Sequence, residues 1–316
     1  SIKVKHKLHD MRILGQDCES AKHETIRRYL TNLIPTKERG IFVSADLQKQ
    51  ILITKSALAM LTDIHDFKNR VSFPHSNRTG LAEAQLFGLL AGLDPTVPYY
   101  IKTCTPTTTQ ENGDWNWTFL VDYTSTDAAE IAGRAQTAEQ SAAFLARQLF
   151  HASMPDYVRL YRACAFLAAS VHYENDTAAH PNCNNAYGAL IGGAASCQGF
   201  SQTLKLLLDM AGVPCQIISG PVLREKGTPA SDRYYYDVRT KSTRHYWNLV
   251  GIETSAGVRW FHVDVCWDQT EEGTIGFQYF LKDDAFMLRS RKWNRECFSV
   301  CNVLPGSNIE RMLRDF

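Results

Sequence analysis

What the chain lacks narrows its class first. Its 316 residues contain no apolar run of the ~18 residues that a membrane-spanning helix needs. No membrane span is therefore expected. Neither sign of charge is in excess: 34 Lys and Arg against 33 Asp and Glu leave a formal net charge of +1. Without a basic field no nucleic-acid partner is expected, and without an acidic one no cationic partner. Low-complexity tracts are scarce, and 44% hydrophobic with 11% aromatic residues argues against disorder. The opening "SIKVKHKLHD" is basic but lacks the apolar h-region of a signal peptide. A start at Ser rather than Met suggests processing, which favours a secreted or cell-envelope setting over a cytoplasmic one.

Metal-site spacing is also missing. The nine cysteines are Cys18, Cys104, Cys164, Cys183, Cys197, Cys215, Cys266, Cys297 and Cys301, and no two form a CxxC pair. Cys297 and Cys301 have helix spacing, without a histidine at zinc-finger distance. No metal and no cofactor is expected, and most of the thiols read as small buried hydrophobes.

The length suits two domains. Residues 19–92 read mostly helical. "TIRRYLTNLI" puts Ile26, Tyr29, Leu30 and Leu33 on one face before Pro35, and "AEAQLFGLLAGLDP" is a second helix closed by Gly92 and Pro95. "WNWTFLVDY" then alternates Trp115, Trp117, Phe119, Val121 and Tyr123, a half-buried strand expected to pair with "PYYIKTC" across a polar loop at 105–114. Ser125–Asp127 can cap a helix running to about Phe150. We place a boundary there: an N-terminal helical and β-hairpin region, 1–150, of unassigned role, and a second domain, 151–316.

The second domain opens with a helix over 155–173 and an irregular loop over 174–193. A helix from about Cys197 puts Phe200, Leu204, Leu207, Leu208 and Ala211 on one stripe, with Gly212 and Pro214 as stops. "CQIISG" is a short strand, and "HYWNLVGI" and "VRWFHVDV" flank "ETSAG" as an antiparallel hairpin. Helices followed by strands indicate an α+β fold.

Chemistry enters through that hairpin. If it turns around Ser255 and Ala256, Asp264 falls opposite Trp247 and His245 two residues further along; a two-residue slip makes His245 and Asp264 direct neighbours. Either register leaves them on one face, because strand side chains repeat every two residues. A carboxylate beside an imidazole fixes its tautomer and stabilises the imidazolium. Cys197 sits where unpaired amides and the helix dipole favour an anion and can donate to an oxyanion. Gly192, Gly193, Ala194 and Ala195 before it leave room for a substrate backbone. The bland readings are a structural cysteine at a helix start and a buried polar His–Asp pair. His172, His180 and His262 are the competing histidines, and His262 reads as a satisfied core residue.

The blocks "AYGALIGGAASCQGFSQTLKLLLDMAGVPCQIISG", "HYWNLVGI" and "WFHVDVCWD", in this order, resemble the transglutaminase-like superfamily in its bacterial branch, over about residues 155–293. The resemblance implies a papain-like α+β core, with Cys197 as nucleophile, His245 as base and Asp264 as orienting acid. It implies attack on an amide or peptide carbonyl of a protein or peptide substrate through a thioester. Hydrolysis is favoured over transamidation, and a non-catalytic binding module is the rival. Where family members often have Glu and Tyr, this chain has Gln198 and Phe200, which bears on the subsite. Tyr187, Gln198 and Trp247 are the candidate oxyanion or substrate contacts, with Trp267 as a second wall; for both tryptophans core packing on the sheet is the equal alternative.

Overall fold

The computed structural model describes residues 47–74, 83–111, 114–223, 242–255, 257–293, 295 and 298–302. The helix expected over 25–34, Cys18 and Cys297 lie outside the described residues. The chain divides into two compact units, Ser1–Ala128 with Glu296–Ser299, and Ala129–Arg295 with Val300–Phe316.

In the first unit, helix α1 (Leu47–His65) buries Ala57, Met60, Leu61 and Ile64 at helical spacing. It packs on strand β1 (Arg70–Pro74) and helix α2 (Glu83–Leu93). The single turn α3 (Val97–Tyr100), with Pro98 in its first turn, leads into β2 (Ile101–Glu111) and β3 (Asp114–Tyr123). The three strands form an antiparallel sheet in the order β1-β3-β2. The polar stretch "TPTTTQE" expected to be a loop instead continues β2, pairing from Thr105↔Leu120 to Glu111↔Asp114. Its β-branched threonines suit a pleated strand, and Pro106 is tolerated because β2 is the sheet's edge.

The second unit holds helices α4 (Ala128–Leu149) and α5 (Asp156–Ser170), strand β4 (His172–Tyr173), the short helix α6 (Ala186–Leu190) and strand β5 (Ala194–Ala195). Helix α7 (Cys197–Met210) follows, then strands β6 (Cys215–Leu223), β7 (Ser242–Thr254) and β8 (Gly257–Val263), and the single turns α8 (Val265–Asp268) and α9 (Asp284–Met287). Strands β6-β7-β8 make an antiparallel sheet, so the architecture is α+β. The core joins Leu160, Ala163 and Leu167 of α5, Phe200, Leu204, Leu207 and Leu208 of α7, and Val250, Ile252, Phe261 and Val263 of the sheet. Each large apolar side chain sealed there contributes about 1.5–3 kcal/mol.

The register decides what faces what. The hairpin pairs Thr254↔Gly257 through Asn248↔Val263, centred on Ser255 and residue 256. Asn248, Val250 and Ile252 therefore point toward α7, while Trp247 and Leu249 point to the opposite face. That second face is covered too: Trp247 and His262 are completely buried. This explains why "HYWNLVGI" shows no clean alternation of apolar and polar residues.

Candidate active site

Helix α7 begins at Cys197 because Ser196 caps it. The Ser196 hydroxyl accepts from the Gly199 amide at 3.4 Å and donates to Asn184 Oδ1, while the Phe200 amide closes on the Ser196 carbonyl at 2.9 Å. Gly199 is required here, since a Cβ would lie 2.1 Å from the Cys183 carbonyl oxygen. The same loop is tied to the cap by Ser196 N–H donating to that carbonyl at 2.9 Å. The cysteine is thus fixed at the first helical position, half-buried, beside the first-turn amides of Cys197 and Gln198. Ala194 and Ala195 are engaged in a parallel pairing with His172 and Tyr173, so their small size serves that close packing.

His245 lies on β7 beyond the last β7–β8 pair, and Asp264 caps α8 by accepting from the Trp267 amide at 3.1 Å. His245 Nε2 and Asp264 Oδ2 are 2.7 Å apart, with side chains only 4% and 1% exposed. Cys197 lies close enough to the imidazole to act on its protonation. Burial works to lower the His245 pKa, but the Asp264 carboxylate and Cys197 outweigh it and lift it to about 9. Burial likewise opposes ionisation of Asp264, and His245 and the Arg291 guanidinium together hold its carboxyl below the usual range. Such a trio can move a proton between sulfur and a leaving group while the carboxylate fixes the imidazole ring.

The other expected residues fall in different places. Tyr187 lies half-buried on α6, whose cap Asn185 accepts from its amide at 3.0 Å. Gln198 is half-buried beside Cys197. Trp247 is fully buried and its indole N–H donates to His262 Nδ1 at 2.9 Å, so it backs His245 in a stacked arrangement with centroids 6.3 Å apart. Trp267, half-buried with its centroid 4.7 Å from that of His245, is better placed as a wall. Asn248 donates to the Ser201 carbonyl at 3.0 Å and so ties β7 to α7.

Two features escape a reading of the sequence. Arg291 is completely buried and donates through Nη2 to Asp264 Oδ2, the oxygen that faces His245. Behind Trp247, the buried His262, Asp284 and Cys301 bring their donor atoms within 4.8 Å of one another, a set that could in principle hold a metal. The hydrogen bonds favour another use. Because Nδ1 accepts from Trp247, the neutral ring carries its proton on Nε2, which donates to Asp284 Oδ1 at 2.9 Å. That tautomer has no free ring lone pair, and burial pushes the His262 pKa down, which keeps the ring neutral. Among the described residues no cysteine forms a disulfide.

A helix-borne cysteine set against an antiparallel sheet that carries a His–Asp pair defines a papain-like α+β core. Residues 143–265 match the family model described as the transglutaminase-like superfamily. The matched segment contains Cys197, His245 and Asp264 and ends one residue past Asp264. Among solved structures, the chain is similar to a TGase at 11% identity and TM-score 0.32, over 52% of this chain and 44% of that one. It is also similar to a candidate protease from Parabacteroides distasonis at 10% identity and TM-score 0.27, over 56% and 41%. The chain thus spans under half the length of either. No curated protein matches it.

Proposed function

We propose that the protein is a thiol enzyme that attacks an amide or peptide carbonyl and passes the acyl group, through a Cys197 thioester, to water. The observation that carries this reading is the imidazole of His245, held 2.7 Å from Asp264 and near enough to Cys197 for the cysteine to raise its pKa. Proton balance follows from that arrangement. The sulfur gives its proton to His245 and bonds to the carbonyl carbon. The carbon–nitrogen bond then breaks, and the departing amine takes the proton from the imidazolium. Water next attacks the thioester while His245 accepts its proton; the carboxylic acid leaves and the proton returns to sulfur. The first-turn amides of α7 are the oxyanion donors, with Tyr187 and Gln198 as substrate contacts. The match of residues 143–265 to the superfamily's model supports the same chemistry.

Incubation with glutamine-containing and peptide substrates, with and without a primary amine, tests the reading by mass spectrometry. Peptide cleavage, or replacement of a side-chain amide by a carboxylate, is the expected result. Incorporation of the amine in place of ammonia would identify transamidation instead. A Cys197 that reacts with a thiol-directed electrophile no faster than the other cysteines, with Cys197→Ala changing nothing, would leave a non-catalytic binding module.

A further inference from the structure

The geometry points to Arg291 as a positioning residue that keeps Asp264 ionised and aimed at His245 during the half of the reaction in which His245 is neutral. This rests on the acyl-transfer reading above.

Charge balance leads to it. With Cys197 as thiolate and His245 as imidazolium, the buried group of Cys197, His245, Asp264 and Arg291 sums to zero. Once sulfur is acylated and the imidazolium has given up its proton, Asp264 and Arg291 remain and still sum to zero. Without the guanidinium, a carboxylate that is 1% exposed would stand alone, and holding the proton on the His–Asp pair would be its cheapest relief. A neutral histidine is what the attacking water requires. By sharing Oδ2 with His245, Arg291 makes that neutral state accessible.

The guanidinium is held as a built element. Its Cζ lies 4.2 Å from the Trp267 ring centroid and 4.3 Å from that of Tyr279, and Nη1 donates to Ser290 Oγ at 3.1 Å. The segment bearing it lies against β6: Arg291 bridges Val222, and Lys292 N–H donates to the Pro221 carbonyl at 3.0 Å. Gly220, the cross-strand partner of His245, makes the approach possible, since a Cβ there would lie 1.8 Å from the Lys292 carbonyl oxygen. The chain thus omits a side chain opposite His245 at the point where the Arg291 segment crosses. Arg291 lies outside the family match, which ends at 265. The other ionisable groups around the cluster are Asp268, which burial and Asp264 push up to about 7, and the neutral His262 with its partner Asp284.

The test compares the full-length protein with Arg291→Met, whose apolar side chain still fills the slot between the two rings, and Arg291→Lys, which restores the charge. The titration of His245 is followed by carbon-13 NMR of labelled histidine, and the acid limb of thioester hydrolysis is followed with an activated ester substrate. Arg291→Met should move both the His245 midpoint and the acid limb upward by about one pH unit or more, the order expected when a contacting unit charge is removed. Arg291→Lys should return both to within about half a pH unit of wild type. A folded Arg291→Met protein whose midpoint and limb stay put, with only a uniformly lower rate or melting temperature, overturns the proposal. Should Arg291→Met not fold, the double variant Asp264→Asn/Arg291→Met decides. Cooperative melting above both single variants supports charge balance, and no recovery overturns it. If the His245 midpoint shifts while no variant, wild type included, forms a thioester, the positioning role stands and the acyl-transfer reading fails.

Discussion

Replacing Asp264 by Asn removes the charge that makes His245 basic. In the native protein His245 is lifted to about 9 from an ordinary 6.5, Asp264 and Cys197 prevailing over burial. Between these values the folded chain holds a proton that the unfolded chain has released, so stability falls as pH rises. The contribution is complete below about pH 6.5 and is lost on passing through pH 9. At about 1.4 kcal/mol per pH unit, the interval corresponds to roughly 3 kcal/mol. In Asp264→Asn, only Cys197 is left to oppose burial at the imidazole, and this alkaline loss shrinks. Arg291 meanwhile becomes a buried cation without its carboxylate, at a cost of about 3–5 kcal/mol at every pH. Urea unfolding followed by tryptophan fluorescence at about pH 6.5, 7.5 and 9 should show wild type losing stability relative to the variant across that range, by at most roughly 3 kcal/mol, from a higher starting stability. Subtracting the variant removes titrations common to both proteins. Parallel pH profiles would refute the reasoning, because they would mean that Asp264 does not set the protonation of His245. The same substitution should slow acylation on the order of a hundredfold, the rate equivalent of losing roughly 3 kcal/mol of imidazolium stabilisation.

Cys197→Ala should abolish turnover and the fastest labelling by a thiol-directed electrophile while leaving the melting temperature nearly unchanged, as read by intact mass and calorimetry; residual turnover would move the nucleophile elsewhere. Trp247→Phe keeps the ring but deletes the donor to His262 Nδ1, so urea unfolding should show a loss of about 1–3 kcal/mol. Asn248→Ala leaves the Ser201 carbonyl without its side-chain donor, and faster amide exchange in α7 is the expected sign, with exchange at wild-type rates counting against the tether. Phe200→Ala opens a cavity under the nucleophile helix and should cost about 3–5 kcal/mol in the same unfolding assay.

Much of the second unit was legible because its signals are local. The stripe Phe200, Leu204, Leu207 and Leu208 follows from helical spacing, and the hairpin register follows from turn chemistry at 254–257, which brought His245 and Asp264 to one face. The misreadings have equally physical origins. Polarity at 105–111 suggested a loop, whereas an edge strand accepts threonines and even a proline. Sequence alone leaves Trp247 between walling the site and packing in the core, because a lone strand shows two faces and does not reveal which will be covered. Trp293, from the segment that follows Asp264, and His262 of β8 cover it, with ring centroids 5.9 and 6.4 Å from that of Trp247.

Arg291 was illegible for a related reason, and its case separates two kinds of site residue. Cysteine at a helix start and histidine with aspartate on a hairpin are specified by short-range geometry, so spacing alone nominates them. A charge that balances a buried cluster can arrive from any part of the chain, and only the sum of the enclosed charges demands it. Such a residue leaves its clearest trace in what it displaces, here the side chain absent at Gly220. Gly220→Ala therefore offers a perturbation that adds and removes no charged or polar side chain. If the Arg291 segment must approach β6 closely to deliver its charge, the added methyl should shift the His245 titration in the same direction as Arg291→Met, though by less. An unshifted titration in a folded Gly220→Ala protein would mean that the approach of the segment and the ionisation of the site are independent.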